Sequence, residues 1–382
     1  AHRTSLPWLV ARSRKRPRSR GVWSITCSIV IPVPVRDDLR ALEGYHSPQV
    51  SVRVRLNTNE SPVEPPEAWR TALLAEIGQI EWHRYPDRSA SELRRAIAAL
   101  HGVAPEQVFV ANGSNEVLQT LLLTYAGPGR TVATFEPTYQ LHAHIARITG
   151  ATVVETERRT DFTLDLEASL AAIAAHQPMV TFLCSPNNPT GLVEPQANVR
   201  AVLAAVPGLL VVDEAYAQFA DWSALDLVAD NVPLVVTRTF SKTWSMAAAR
   251  LGYLVGPRWR VAERDKVTLP YHLDSAKQIA GRLALEFVDA MNDRVAAIVS
   301  ERDRICAALA LLPVEQFPSG ANFVLFRATA KGGRAVWQGL LDRSVLIRDC
   351  SGWPRLGDCL RVTVGTAEEN DAFLTALQEV LA

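Results

Sequence analysis

The segment Arg238-Thr239-Phe240-Ser241-Lys242 follows the apolar run Leu234–Thr237, and Arg250 comes eight residues after the lysine. A lysine at a strand's end, among hydroxyls and near a second cation, loses its proton more cheaply than one in water, and the neutral amine can condense with an aldehyde. The same residues also suit a solvated loop. Val211-Val212-Asp213-Glu214-Ala215-Tyr216 ends a second apolar run with a carboxylate. In an open α/β sheet such strand ends face the ligand crevice. Asp213 would then sit low in a pocket, where an acid can keep a pyridinium nitrogen protonated. Acids also end strands with no such duty.

Two further loops carry usable groups. Ser185-Pro186-Asn187-Asn188-Pro189-Thr190-Gly191 follows the run Val180–Leu183, and its prolines and glycine fix the course of the chain. Asn188 could hydrogen-bond a phenolate oxygen, sharing it with the Tyr216 hydroxyl; plain turn chemistry explains the composition equally. Ala111-Asn112-Gly113-Ser114-Asn115-Glu116 joins the run Val108–Ala111 to a helix pattern. Its backbone N–H groups and the helix dipole make an anion site, which Ser241 and Arg250 can reinforce, or simply a helix cap.

The elements that must position these groups read as an α/β layer fold. Short β-branched runs predict strands at Val108–Ala111, Thr131–Phe135, Thr152–Val154, Val180–Leu183, Leu209–Val212, Leu234–Thr237 and Gly252–Val255. Helix-period segments lie between them, including Ser91–Leu100 with Ser91 as a cap, Glu116–Tyr125, Tyr139–Thr149 and Leu166–Ala175. Seven strands with intervening helices imply one large sheet domain. A long helical stretch, Ala276–Leu311, then leads to strands Phe323–Arg327, Val345–Arg348 and Leu360–Val364 and a final helix, Ala367–Leu381. The expected organisation is a basic, unstructured extension over 1–30, an N-terminal arm over 31–66, a large domain over 67–275 and a small α/β domain over 276–382.

Composition sets bounds. The chain has 382 residues, 48% of them hydrophobic, enough for a sizeable core. Its 40 basic and 40 acidic residues cancel, yet residues 1–36 hold eight Lys/Arg and no acid, which leaves the body mildly acidic. That basic start reads as an unstructured extension, an organellar presequence or a nucleic-acid arm. It is too short and too rich in Pro and Arg for a helix-turn-helix module, so no nucleic-acid partner is expected. No run approaches the roughly 18 apolar residues of a membrane span, so no membrane partner is expected either. Five scattered cysteines without a C-x-x-C pair argue against a disulfide framework and against a metal site, and point to reduced, cytoplasmic thiols.

Taken in order, N-G-S-N-E, P-T-Y (137–139), S-P-N-N-P-T-G, V-D-E-A-Y and T-F-S-K followed by A-R-L-G-Y resemble the fold-type I aminotransferases that use pyridoxal 5'-phosphate. The similarity runs from about residue 31 to 382. Within that superfamily R-L-N-T-N-E-S-P (55–62), R-Y-P-D (84–87) and L-R-V-T-V-G-T (360–366) are most similar to the histidinol-phosphate aminotransferases.

The resemblance implies a large, mostly parallel seven-stranded sheet sandwiched by helices, plus a smaller C-terminal α/β domain. It implies transamination of L-histidinol phosphate with 2-oxoglutarate, with aromatic amino acid transamination as the alternative and phosphothreonine decarboxylation as a lesser one. By the same resemblance Lys242 binds the cofactor aldehyde and acts as the proton-moving base, Asp213 pairs with the ring nitrogen, and Asn188 and Tyr216 bind the ring's O3′. Tyr139 stacks on the ring. Ser114, Asn115, Thr239, Ser241 and Arg250 hold the phosphate, joined by Tyr85 from a neighbouring subunit, which makes the active unit a homodimer. Arg361 and Arg348 take the substrate's anionic group, while Tyr45 and Asn59 close over it. Three features depart from the pattern: Asn115 stands where many members carry Asp, Trp244 and Ser245 follow the lysine where smaller apolar residues are common, and Gly44–Pro48 matches the arm loosely.

Overall fold

A computed structural model describes residues 33–40, 42, 44 and 50–382. The basic extension over 1–30 and Tyr45 lie outside the described residues. The chain divides after residue 42, and the described part of the first unit holds a single 3-10 turn, Asp37–Leu39. Residues 43–382 form the second.

The second unit contains two sheets. The larger is built from β2 (Val108–Ala111), β3 (Thr131–Glu136), β4 (Thr152–Glu157), β5 (Val180–Cys184), β6 (Leu209–Asp213), β7 (Leu234–Thr239) and β8 (Gly252–Val255), in the order β2-β8-β7-β6-β5-β3-β4. All pairings are parallel except those of β8, which runs antiparallel to β2 and to β7. Every residue of β2, β5, β6, β7 and β8 is buried. Burial on both faces is why these runs read as continuously apolar rather than alternating. Helices α2 (Ser91–His101), α3 (Ser114–Tyr125), α4 (Leu141–Ile148), α5 (Leu166–His176) and α6 (Gln196–Ala205) supply the layers that cover it. Val117, Leu118, Leu121 and Leu122 of α3 pack with Val211, Val235 and Leu254, and Ile173, Val199 and Val202 of α5 and α6 pack with Leu210, Val212 and Val236.

Successive residues of one strand thus serve two separate cores, as the period-two geometry of a strand requires.

The second sheet runs β1 (Val54–Leu56), β11 (Val345–Asp349), β12 (Cys359–Thr363), β10 (Phe323–Arg327) and β9 (Glu315–Gln316). Two features differ from the sequence expectation. Strand β1, inside the expected arm, pairs in parallel with β11, Val54 opposite Val345 and Leu56 opposite Ile347. Three residues pairing across almost 300 positions leave no local signal. The expected helix Ala276–Leu311 is divided into α8 (Ser275–Ala284) and α9 (Val288–Leu309) by a 3-10 turn at Leu285–Phe287. Ala280 and Ala284 of α8 and Met291 in the first turn of α9 pack into the large sheet's cluster with Tyr253 and Val255, whereas Ile298, Ile305 and Leu309 further along α9 pack under Phe323 and Phe326 of the second sheet.

Ser91 is also not a cap. It is the first helical residue, and the Asp87 carboxylate accepts from Ser89 N at 2.9 Å and Ser91 N at 2.7 Å. Helix α11 (Ala367–Leu381) starts with a capping box between Thr366 and Glu369. None of the helices among the described residues is long and apolar enough to cross a membrane.

Adjacent strands β6 and β7 are clamped just at their carboxyl ends. Arg238 donates to Glu214 Oε2 from Nε at 3.1 Å and from Nη2 at 2.7 Å, and Ser223 and the Ala224 N–H complete the carboxylate's partners. Both side chains are buried. Glu214→Ala would leave a buried guanidinium without its counter-charge, and we expect a loss of about 3–5 kcal/mol of unfolding free energy, read from urea midpoints. A loss below about 0.5 kcal/mol would contradict the clamp.

Candidate active site

The carboxyl ends of four neighbouring strands, β7, β6, β5 and β3, open on a cavity of about 400 Å3. Lys242 follows β7, Asp213 ends β6, Asn188 follows β5 and Tyr139 follows β3. The cavity is also lined by Asn59, Ser114, Asn115, Tyr216, Thr239, Ser241, Arg250 and Arg361. Twelve expected site residues therefore converge from both sheets.

Lys242 Nζ donates to the Thr58 carbonyl at 3.1 Å and lies 5.7 Å from the centre of the Tyr216 ring. Burial lowers its pKa from the ordinary 10.5 to about 7; repulsion from Arg361 and Arg250 adds to this, and the Glu60 carboxylate opposes it. Desolvation penalises the charged form, so the amine is available near neutral pH.

Asp213 is 2% exposed. His142 Nε2 donates to its Oδ2 at 2.9 Å, and the Ala215 N–H donates to Oδ1 at 3.2 Å. His142, itself wholly buried, stacks on Phe182 with ring centres 4.5 Å apart and meets the edge of Tyr139. Sequence reasoning missed this histidine. Its one signal was its place three residues after Tyr139, on the same side of the chain as it enters α4.

The Tyr216 hydroxyl accepts from Asn59 Nδ2 at 2.9 Å, which leaves its own proton to donate. Burial pushes this phenol well above its ordinary range, partly countered by Arg361. Asn188 Oδ1 accepts from Arg361 Nη1, so the amide NH2 of Asn188 remains the group that can donate. Asn59 is pinned further, accepting at Oδ1 and donating from its N–H to Thr363 Oγ1, each at 3.0 Å.

An anion cradle stands at the start of α3. The first N–H groups of a helix have no intrahelical acceptor, and the preceding residue, Gly113, has no side chain to cap them. Nearby, Thr239 Oγ1 and Ser241 Oγ are 3.0 Å apart, and Arg250 Nη1 approaches Ser241 Oγ at 3.4 Å. The cradle needs its glycines: a Cβ on Gly113 would meet Arg250 Nη2 at 2.8 Å, and one on Gly252 would meet Ser114 N at 2.3 Å. Asn115, the departure noted above, accepts at Oδ1 from the Tyr139 hydroxyl at 3.0 Å and so orients that ring.

An aldehyde-bearing ring with a phosphate fits this donor set. Arg361, donating also to the Asn57 carbonyl at 3.1 Å, keeps a buried Nε without a hydrogen-bond partner among the described residues. That matches a site for a carboxylate or phosphate.

Two expected residues lie elsewhere in this chain. Arg348 is the direct cross-strand neighbour of Arg361 but lines an adjoining cavity, its guanidinium 5.6 Å from the Trp353 ring. Tyr85 is 80% exposed and stacks on Tyr271 with ring centres 4.4 Å apart. Glu60, Gln140 and Trp353 line the site cavity without having been singled out in the sequence.

Residues 52–377 match the model of the aminotransferase class I and II family, and the chain belongs to that family. Its relatives include histidinol-phosphate aminotransferases from Corynebacterium diphtheriae, 42% identical over 91% of this chain and 96% of the relative, and from Frankia casuarinae, 45% identical over 91% and 90%. Among solved structures, histidinol-phosphate aminotransferase from Sinorhizobium meliloti in complex with pyridoxal-5'-phosphate superposes with a TM-score of 0.80 at 27% identity, covering 86% of this chain and 91% of that one.

With its pKa near 7, Lys242 is expected to be roughly nine-tenths neutral at pH 8, where an ordinary lysine is almost wholly charged. Reductive methylation of the cofactor-free protein, followed by peptide mapping, should give a Lys242 reactivity that rises with pH about a midpoint near 7. A midpoint near 10.5 would contradict the burial argument.

Proposed function

We propose that this chain transfers the amino group of L-histidinol phosphate to 2-oxoglutarate, giving imidazole acetol phosphate and L-glutamate in histidine biosynthesis, with pyridoxal 5'-phosphate as cofactor. The observation that carries this reading is the meeting, in one cavity, of a lysine amine lowered to about 7, a buried carboxylate and an anion cradle. Identities of 42–45% to histidinol-phosphate aminotransferases along nearly the whole chain support the choice of donor.

When bound, pyridoxal phosphate supplies an aldehyde for amine capture and a protonated ring that withdraws electrons from the substrate's Cα. The Ser114 and Asn115 N–H groups, the Thr239 and Ser241 hydroxyls and Arg250 would hold its phosphate by charge-assisted hydrogen bonds. Asp213, oriented by His142, would pair with the ring nitrogen. Tyr139 would stack on the ring, and Asn188 and Tyr216 would donate to its phenolic oxygen. Lys242 Nζ would move the proton between the substrate's Cα and the cofactor's C4′.

Arg361 grips the phosphate of one substrate and the carboxylate of the other, with Arg348 behind it adding positive charge. The two substrates use the site in turn, so the kinetics are ping-pong. The working unit is a homodimer in which Tyr85 completes the phosphate cradle of the neighbouring subunit. Residues 67–275 would hold the cofactor, and residues 276–382 would supply Arg361 and Arg348 from the second sheet.

A panel of amino donors with 2-oxoglutarate tests the reading. L-Histidinol phosphate should give the highest kcat/KM, at least about tenfold above phenylalanine; a higher value for phenylalanine would make the chain an aromatic aminotransferase. Lys242→Ala should cut kcat by more than about 10³-fold, and near-normal turnover would remove Lys242 from the reaction. Arg361→Ala should raise KM for glutamate and for the phosphorylated donor together; a rise for only one would mean separate anion sites.

A further inference from the structure

Trp353 and Gln140 each line two cavities, the site cavity and an adjoining one of about 480 Å3 whose wall includes Glu136, His144, Arg147 and Arg348. We propose that Trp353 is a specificity-determining residue, its indole dividing the two cavities and so limiting the size of the amino donor that the site accepts. The inference rests on the functional reading above and adds a residue to it.

The loop between β11 and β12 carries Trp353, and those strands carry Arg348 and Arg361. The loop is pinned on both sides of the residue: the Trp353 N–H donates to the Cys350 carbonyl at 3.0 Å, and its carbonyl accepts from Leu356 N at 3.1 Å. The ring packs beside a cluster of Phe162, Phe317 and Leu356, and the Arg348 guanidinium lies within cation–π range at 5.6 Å. An indole held by backbone, cluster and cation is a fixed partition rather than a swinging lid.

Beyond it the second cavity is lined by charged and polar side chains. Arg147 is matched by Glu155 at 2.8 Å. Glu136 accepts from Thr134 Oγ1 and Thr138 N, each at 3.1 Å, and burial raises its pKa toward the neutral acid. His144 and Arg348 complete this part of the lining. Without the indole the two spaces would join, and a donor with a larger side chain would find room in the adjoining cavity. Position 353 thus selects by exclusion: the wall admits a single five-membered ring and obstructs a fused one.

The test uses the full-length, cofactor-loaded protein and two variants, Trp353→Ala and Trp353→Phe, assayed with L-histidinol phosphate, L-tryptophan and L-glutamate as amino donors. In Trp353→Ala the kcat/KM ratio of histidinol phosphate to tryptophan should fall about 10- to 100-fold. The fall should come from a gain for tryptophan. Trp353→Phe should lie between, at about threefold or more, and decides the matter if the alanine variant does not fold. Ratios within about twofold of the parent, or an equal fall for all three donors, would overturn the proposal, since a merely structural tryptophan would lower every donor alike. If the parent chain instead prefers aromatic donors to histidinol phosphate, the functional reading fails, while the change between variants still decides the role of Trp353.

Discussion

The site depends on keeping one amine uncharged in a place that an ammonium ion would find costly. Lys242 is half-buried beside the Tyr216 ring with Arg361 and Arg250 nearby, and the Glu60 carboxylate pulls the other way. Its hydrogen bond to the Thr58 carbonyl needs no charge. Desolvation is the main cause, and it is a property of the whole cavity rather than of any one neighbour. Everything that closes the cavity, from β1 and the segment after it to the β12 strand bearing Arg361, therefore helps to set the state of this nitrogen.

A parallel sheet makes that closure possible. Parallel strands carry their connections over the faces, so their carboxyl ends present a row of short loops on one edge. Here the row carries a lysine, a carboxylate, an amide and a tyrosine in the order of the strands. The antiparallel β8 brings Gly252 against the start of α3, where only a residue without a Cβ lets the anion cradle form. The Glu214–Arg238 pair fixes the next residues along from Asp213 and before Thr239, so the clamp and the chemistry share the same strand ends.

Much of this was legible in the residues. Seven predicted runs became seven strands, five of them buried throughout and so leaving a strong one-dimensional signal, and the loops that follow carry the reactive groups where chain direction requires. The spatial order of the strands was not legible, nor was β1, whose partner lies almost 300 residues away. The Asp213–His142 contact escaped notice because a lone histidine in an apolar helix is more often ordinary core. Trp353 escaped because its loop has no periodicity, and its meaning comes only from the two cavities on either side. The Asp87 cap replaced the expected Ser91 for a simple reason, a carboxylate within reach of two N–H groups being the better acceptor.

The chain has five lysines: Lys15, Lys242, Lys266, Lys277 and Lys331. The most direct measurement is borohydride reduction of the protein loaded with pyridoxal phosphate, followed by digestion and mass mapping. One pyridoxyl group per chain, on the peptide that contains Lys242, is the expected result. A label on any of the other four lysines, or none at all, would contradict the account.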